Sequence, residues 1–397
     1  MKKVPRLRFR GFSEDWELCK FGEVAKITMG QSPNSKNYTK NPNDYILVQG
    51  NADIKNGKVV PRVWTTQLTK QAEKGDLLLS VRAPVGDIGK TEYNVVIGRG
   101  IAGIKGNEFV FQQLSKMKDN NYWARYSTGS TFESISSNDI RGAIFFIPEK
   151  IEQESIGLFL KNIDNFIVLH QRKLEQLKEL KKAYLQVMFP RKDERVPKLR
   201  FADFEGEWAQ RKLGEISTHR SGTAIERYFT EDGKYKVISI GSYGTDSKYV
   251  DQGIRAISNE ITNARVVHKG ELTMVLNDKT SDGAIIGRSL LIESEEEYVI
   301  NQRTEIISPK DDFNVNFAYT TLNNTFRQKV KKIVQGGTQI YVNYPAVKNL
   351  MLDFPSYKEQ TKIGTFFKQF DDTITLHQNK LDQLKTLKKT YLQNMFI

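Results

Sequence analysis

Cysteine is nearly missing. Cys19 stands alone among 397 residues, which excludes an internal disulfide framework and any cysteine-cluster zinc site. Histidine is almost as scarce: His170, His219, His268 and His377 are the only four. Their spacing along the chain gives no convergence, so they are expected to be seam or core side chains and no metal site is expected. No apolar run approaches the length of a membrane span. The basic opening MKKVPRLRFRGF has neither the apolar core nor the small-residue cleavage site of a secretory signal. A reducing cytoplasm is the expected compartment, with no membrane association.

Catalytic motifs are missing too. Gly86-Asp87-Ile88-Gly89-Lys90-Thr91 invites a phosphate-loop reading, but the loop needs a glycine where Pro84 stands. Asn41-Pro42-Asn43-Asp44 and Asn343-Tyr344-Pro345-Ala346 lack the paired-proline aromatic pattern of an amino-methyltransferase. No Gly-x-Ser-x-Gly and no His-Glu-x-x-His occurs. No catalytic residue is therefore assigned.

What the chain does have is positive charge and repetition. The net charge is +13, with an isoelectric point near 9.4. Such a balance favours polyanionic partners, nucleic acid first, although lysine-rich helices also raise the count. Glu152–Phe189 reads EQESIGLFLKNIDNFIVLHQRKLEQLKELKKAYLQVMF, and Glu359–Phe396 reads EQTKIGTFFKQFDDTITLHQNKLDQLKTLKKTYLQNMF; 24 of the 38 positions agree. VPRLRFRGFSEDWE from Val4 is answered by VPKLRFADFEGEWA from Val196. A repeat this long sets the architecture before any local reading does. The joints are duplicated and the stretches between them agree only sparsely, as a reader of two different things would require.

Between the joints, short apolar runs bounded by Gly, Asn and Asp predict strands at Tyr45–Val48, Leu77–Val81, Val95–Ile97, Ile101–Ile104 and Ala143–Ile147. A helix is predicted around Glu108–Tyr126. The second half repeats this order: Tyr235–Ile240, Leu272–Leu276, Ala284–Ile286, Tyr298–Ile300, Ile306–Ile307, a helix near Asn316–Val334, then Leu350–Phe354. Lys74-Gly75-Asp76 echoes Lys269-Gly270-Glu271, and Gly129-Ser130-Thr131 echoes Gly336-Gly337-Thr338. The expectation is one α/β (α+β) fold used twice: a domain at 1–148, a spacer helix at 149–189, a second domain at 190–355 and a second spacer helix at 356–397.

The duplicated segments read as long helices, about 55 Å each at 1.5 Å per residue. His170, Leu174, Leu177, Lys181 and Tyr184 follow a 4-3 spacing, as do His377, Leu381, Leu384, Lys388 and Tyr391. An apolar stripe needs a partner. The expectation is that the helices pack antiparallel, with Leu174, Leu177 and Tyr184 facing Leu381, Leu384 and Tyr391. Other apolar residues on these helices, Phe159 among them, are candidates for docking a partner protein.

Reading DNA requires side chains that reach base edges, together with basic and hydroxyl groups for phosphates. Loops after the apolar runs supply Gln49, Asn51, Lys55, Arg62, Arg82, Arg99, Arg125, Ser130 and Thr131 in the first half. In the second half they supply Arg220, Arg227, Asn277, Lys279, Gln302, Arg303, Thr338, Gln339, Tyr341 and Asn343. Arg82 and Asn277 occupy matching places, and Arg99 and Arg303 lie near matching places.

The ordered elements LRF-x-x-F-x-x-x-W, Lys20–Glu23 with Lys212–Glu215, and Pro followed by Glu-Gln and a long Lys/Leu helix ending YLQ-x-MF carry a resemblance. Over nearly its whole length the chain resembles the specificity subunit of a type I restriction-modification system. The resemblance implies two target-recognition domains separated by two long antiparallel helices, a pseudo-two-fold internal repeat, and one half of a split, asymmetric double-stranded DNA site read by each domain. It implies a non-catalytic role, docking of two methyltransferase subunits and, in the full complex, two restriction subunits. AdoMet, ATP and Mg2+ would belong to those partners, with no cofactor in this chain. Base-reading residues cannot be carried over from the resemblance, so the residues above rest on chemistry and loop position. Two other readings stay open from the residues alone: an enzyme with a disguised site, and a structural adaptor whose charge is incidental.

Overall fold

The computed structural model describes residues 3–126 and 134–397. Ser130 and Thr131 lie outside the described residues. The chain divides into two compact units, Met1–Lys173 with His377–Ile397, and Leu174–Leu376. Both boundaries fall inside long helices, Lys150–Val187 and Tyr357–Met395. The segments read from sequence as separate spacers are thus shared out between the units.

In the first unit, Lys26–Met29, Ile101–Lys105, Leu77–Ser80 and Ile88–Lys90 lie side by side, all antiparallel. A second sheet has Tyr45–Val48 parallel to Val95–Ile97 at its centre. Glu17–Lys20 pairs with Ile144–Ile147, leading into the first long helix. The second unit repeats each step. Ser217–Ser221, Thr304–Pro309, Leu272–Val275 and Ser289–Leu291 form one antiparallel sheet. Tyr235–Ile238 lies parallel to Tyr298–Ile300, and Ala209–Lys212 pairs with Met351–Phe354. Leu77, Leu78 and Leu79 are buried, as are Leu272, Thr273 and Met274. Central strands covered on both faces read as continuous apolar runs, which is why the sequence shows them.

The edge strands were not visible in that reading. Ser217–Ser221 is polar along its length, and Ser289–Leu291 spans only three residues, two of them leucines. Conversely, the strand expected at Ala284–Ile286 is a turn. Gly283 and Gly287 have positive φ, and Arg327 donates to the carbonyls of Gly283, Ala284 and Ile286 at 2.7, 3.0 and 2.9 Å. Burial pushes the Arg327 guanidinium down to about 10; carbonyl acceptors compensate part of its lost hydration. The helix expected at Asn316–Val334 is broken by a π turn at Leu322–Phe326 with Asn324 outside helical geometry.

The duplicated joints close each unit. Trp16 meets Phe109 and Phe396, with ring centroids 5.6 and 6.3 Å apart. Trp208 meets Phe317 and Phe189 at 6.1 and 6.0 Å. Arg8 grips Glu152 with two bonds of 2.7 and 2.8 Å, and Arg200 grips Glu359 with two of 2.7 Å. Both carboxylates are sealed from solvent, and the bidentate bond holds each guanidinium above its ordinary value. Leu7 N donates to Asn394 O as Leu199 N donates to Val187 O. The YLQ-x-MF end of the second helix thus serves the first unit, and that of the first helix serves the second unit.

Within each unit the long helices run antiparallel, but the expected pairing of their faces needs correction. In the first unit Phe159 meets Tyr391 at 4.9 Å between centroids, and Lys388 bonds Asp164 at 2.7 Å. In the second unit Tyr184 meets Phe366 and Phe370, and Lys181 bonds Asp371 at 2.5 Å. Tyr184 does not face Tyr391: antiparallel packing sets the end of each helix against the beginning of the other. The same geometry explains Lys181 and Lys388 on an apolar seam, since each has a carboxylate opposite. Leu174, Leu381 and Leu384 are buried and Leu177 is half-buried. Phe159 packs also on Phe9 at 5.7 Å and is half-buried inside the first unit.

Candidate nucleic-acid interface

The carboxyl ends of the central strands Leu77–Ser80 and Leu272–Val275 carry the same backbone frame. In the first unit Val81 N donates to Gly100 O and Ile135 N to Val81 O, at 2.9 and 3.0 Å. In the second, Leu276 N donates to Arg303 O and Val342 N to Leu276 O, both at 2.9 Å. Arg82 bridges to Ser134, and Asn277 pairs with Tyr341. Arg82 and Asn277 therefore hold equivalent positions, as their sequence context indicates. Arg99 and Arg303 do not. Gly98 N bonds Val48 O and Asn301 N bonds Ile238 O, which sets Arg99 against Gln302 and Gly100 against Arg303. Arg303 holds a positive φ of 66° there, a conformation L residues seldom adopt.

In the first unit a cleft of about 360 Å³ opens at this end. Gln49, Asn51, Arg82 and Arg99, four of the residues picked from sequence, share its wall with Tyr38 and Ser80. Arg82 and Arg99 are exposed. Two exposed guanidiniums beside two amides form the donor-rich set that base edges and phosphates require.

Arg62 has a different task. It bonds the buried carboxylate of Asp53 at 2.9 Å, while the other Asp53 oxygen accepts from Gln49 N at 2.8 Å. Arg62 and Asp53 shape the loop that carries Gln49 and Asn51. Lys55 is exposed on the hairpin strand Ile54–Lys55, outside the cleft. Arg125 folds over the rings of its own turn, 3.7 Å from the Tyr122 centroid, and bonds Tyr122 O at 3.0 Å.

The second unit groups Gln302, Arg303, Asn277 and Tyr341 by its backbone frame. Gln302 Nε2 donates to Glu226 Oε1 at 3.1 Å, beside Arg227, which lies on the Tyr228 ring. Thr338, Gln339 and Tyr341 are exposed on a tight hairpin in which Gln335 and Tyr341 exchange two backbone bonds of 2.9 Å. Gly336 turns it with a φ of 101°; a Cβ there would lie 2.1 Å from Gln339 O. Asn343 is exposed at the start of the short helix Tyr344–Val347, and Lys279 is exposed beside Asp278.

Two residues of the second set stand apart from the rest. Asn277 has its side-chain oxygen buried without a partner, so the exposed polar groups around it, not its own carbonyl, face outward. Arg220 bonds Glu271 at 2.6 Å, at the opposite end of the Leu272–Val275 strand.

Asp278 was missed by the sequence reading. It accepts from the backbone N–H of Thr280, Ile285 and Ile286 at 3.0, 2.7 and 3.3 Å. Burial alone would raise this carboxyl, but those donors hold it below its ordinary value. Asp53 and Asp278 organise the loops while exposed neighbours are left free. An acidic residue just past a buried apolar strand was the available signal.

A family profile described as the type I restriction modification DNA specificity domain matches residues 13–179 and 205–386. A putative type I restriction enzyme MjaX specificity subunit of Methanocaldococcus jannaschii is 35% identical over 183 residues, which span 44% of this chain and 43% of that protein. The type I restriction enzyme MjaVIII specificity subunit of the same organism is 21% identical over 398 residues, spanning 95% of this chain and 91% of its own. Among solved structures, the S subunit of a type I restriction-modification system from M. genitalium matches over 99% of both chains, with a TM-score of 0.71 at 15% identity. That likeness establishes a shared fold.

Proposed function

The chain belongs to the type I restriction modification DNA specificity family, and we propose that its two units read two different short sequences as the halves of one split, asymmetric DNA site. Its role is DNA sequence specificity, carried by two target-recognition domains, and not catalysis. One observation supports the finer reading above the others. The same backbone frame presents Arg82, Ser134 and Arg99 in one unit and Asn277, Tyr341 and Gln302 in the other. A conserved frame with exchanged side chains suits two readers built to one plan, since base edges are told apart by donor and acceptor pattern.

In this reading the cleft residues Gln49, Asn51, Arg82 and Arg99 contact one half-site. Gln302, Arg303, Thr338, Gln339 and Tyr341 contact the other. The long helices fix the unread gap between the half-sites, and the net charge of +13 supplies sequence-independent attraction to phosphates. Partner subunits dock on the exposed leucines that recur at duplicate positions, Leu169 with Leu376 and Leu180 with Leu387. A face present twice fits two methyltransferase subunits, with two restriction subunits added in the full complex. AdoMet, ATP and Mg2+ reside in those partners, and the complex works in the cytoplasm. No helix among the described residues is long and apolar enough to cross a membrane.

The direct experiment assembles the chain with its methyltransferase subunits and maps methylated bases on random-sequence DNA. A bipartite motif with two unlike halves and a fixed gap is the expected result. A continuous or palindromic motif, or methylation independent of sequence, overturns the reading. Replacing Leu169 and Leu180 with Asp, then counting subunits by native mass spectrometry, tests the docking faces.

A further inference from the structure

His170 and His377 are the same position of the duplicated helix. Sequence spacing put both on the helical seam but did not fix the register that would bring them together. Antiparallel packing of a helix on its own copy supplies one, because near the crossing point each position meets its duplicate. In the first unit the two rings stand 5.1 Å apart between centroids, with Nδ1 turned to Nδ1 at 3.0 Å. Both side chains are half-exposed.

A separation of 3.0 Å fits an N–H···N hydrogen bond in which one ring carries the proton on Nδ1. It also fits a chelate. Two imidazole nitrogens held at metal–nitrogen distances of about 2.0–2.1 Å, and 3.0 Å from one another, subtend roughly 90–100° at the ion. That is the angle between adjacent ligands in square-planar or octahedral coordination, narrower than a tetrahedral site requires. We propose that His170 and His377 form a two-point chelate for a divalent late first-row transition ion, fastening the two long helices where they cross. Solvent reaches the pair, so water completes the coordination shell. The ring that holds its proton on Nδ1 transfers it to Nε2, so both Nδ1 lone pairs face the ion and no net proton is lost. Affinity follows the general order for nitrogen ligands, with Cu2+ above Ni2+ and Ni2+ above or near Zn2+.

Among the described residues no group of three or more His, Cys, Asp or Glu side chains converges, so the ion rests on two protein ligands only. His219 and His268 each bond a carboxylate, Glu305 and Glu295, at 2.5 Å, and they are the internal controls. One substitution in the ancestral half would have supplied both ligands, since duplication copies the residue to the facing helix.

The test titrates Ni2+, and separately Zn2+, into the metal-stripped, tag-free full chain by calorimetry, and follows thermal unfolding with and without each ion. The expected result is one ion per chain, a raised unfolding midpoint, and tenfold or greater loss of affinity in both His170→Ala and His377→Ala. His219→Ala and His268→Ala should bind as the parent does. Absence of binding at millimolar ion overturns the proposal, as does binding that survives both seam substitutions. Circular dichroism of His170→Ala and His377→Ala at equal concentration separates loss of the ligand from loss of the helix pair. If either variant is unfolded, His170→Gln and His377→Gln replace them under the same criteria.

Discussion

Around Trp16 and around Trp208 the same contacts recur: a buried arginine–glutamate pair, a stacked phenylalanine and the YLQ-x-MF end of a helix. At the carboxyl ends of the central strands the backbone recurs but the side chains do not. Arg82 stands where Asn277 stands, and Arg99 where Gln302 stands. The joints are held by buried charge and aromatic packing, where almost any substitution is costly. The reading ends are exposed and shaped by backbone bonds to Asp53 and Asp278, so their neighbours can change without loss of fold. One chain thereby keeps its frame while its two recognition surfaces diverge.

The hardest test of the joints is Arg8→Met set beside Arg200→Met. Each leaves a carboxylate sealed and unpaired, at a cost of about 3–5 kcal/mol. Denaturant unfolding of the full chain should show losses of similar size in both. A large loss in one and none in the other would break the equivalence of the joints.

Next in size are Gly157→Ala and Gly364→Ala. Alanine in an exposed helix normally gains about 1 kcal/mol over glycine. Here a Cβ would lie 2.9 Å from Phe109 N at Gly157 and 2.6 Å from Phe317 N at Gly364. Both variants should lose roughly 1–3 kcal/mol through overpacking, Gly364→Ala the more. Stabilisation of either would show that the helix does not approach its unit so closely.

The reading ends are separated by Arg82→Ala and Gln302→Ala in the assembled methyltransferase. Each should relax discrimination in one half-site by about 1–3 kcal/mol per lost bidentate contact and leave the other half-site as it was. Selection from random DNA measures both halves at once. If both halves relax together, the two units do not read independently.

The smallest effects belong to Lys55→Ala and Lys279→Ala. If each lysine meets a phosphate, affinity should fall for every sequence alike, and the slope of log affinity against log salt should shrink by about one. A change confined to particular sequences would move that lysine from the phosphate group to the base-reading group.

Sequence alone determined the duplication, the joint residues, the central strands and the long helices. Each of these is local or periodic: an apolar run, a heptad stripe, a motif repeated in order. It also picked Gln49, Asn51, Arg82 and Arg99, because donor-rich residues after apolar strands end up at one sheet edge. Only the tertiary structure decided which of the chosen residues are already engaged. Arg62 bonds Asp53, Arg220 bonds Glu271 and Arg125 covers Tyr122, each through a partner that periodicity does not indicate. The crossing of the helices was likewise beyond the pattern. Both carry the same stripe, so the stripe fits several registers equally. The actual register is set by what packs at the ends, Phe159 on Tyr391 and Tyr184 on Phe366, and that choice brings His170 to His377.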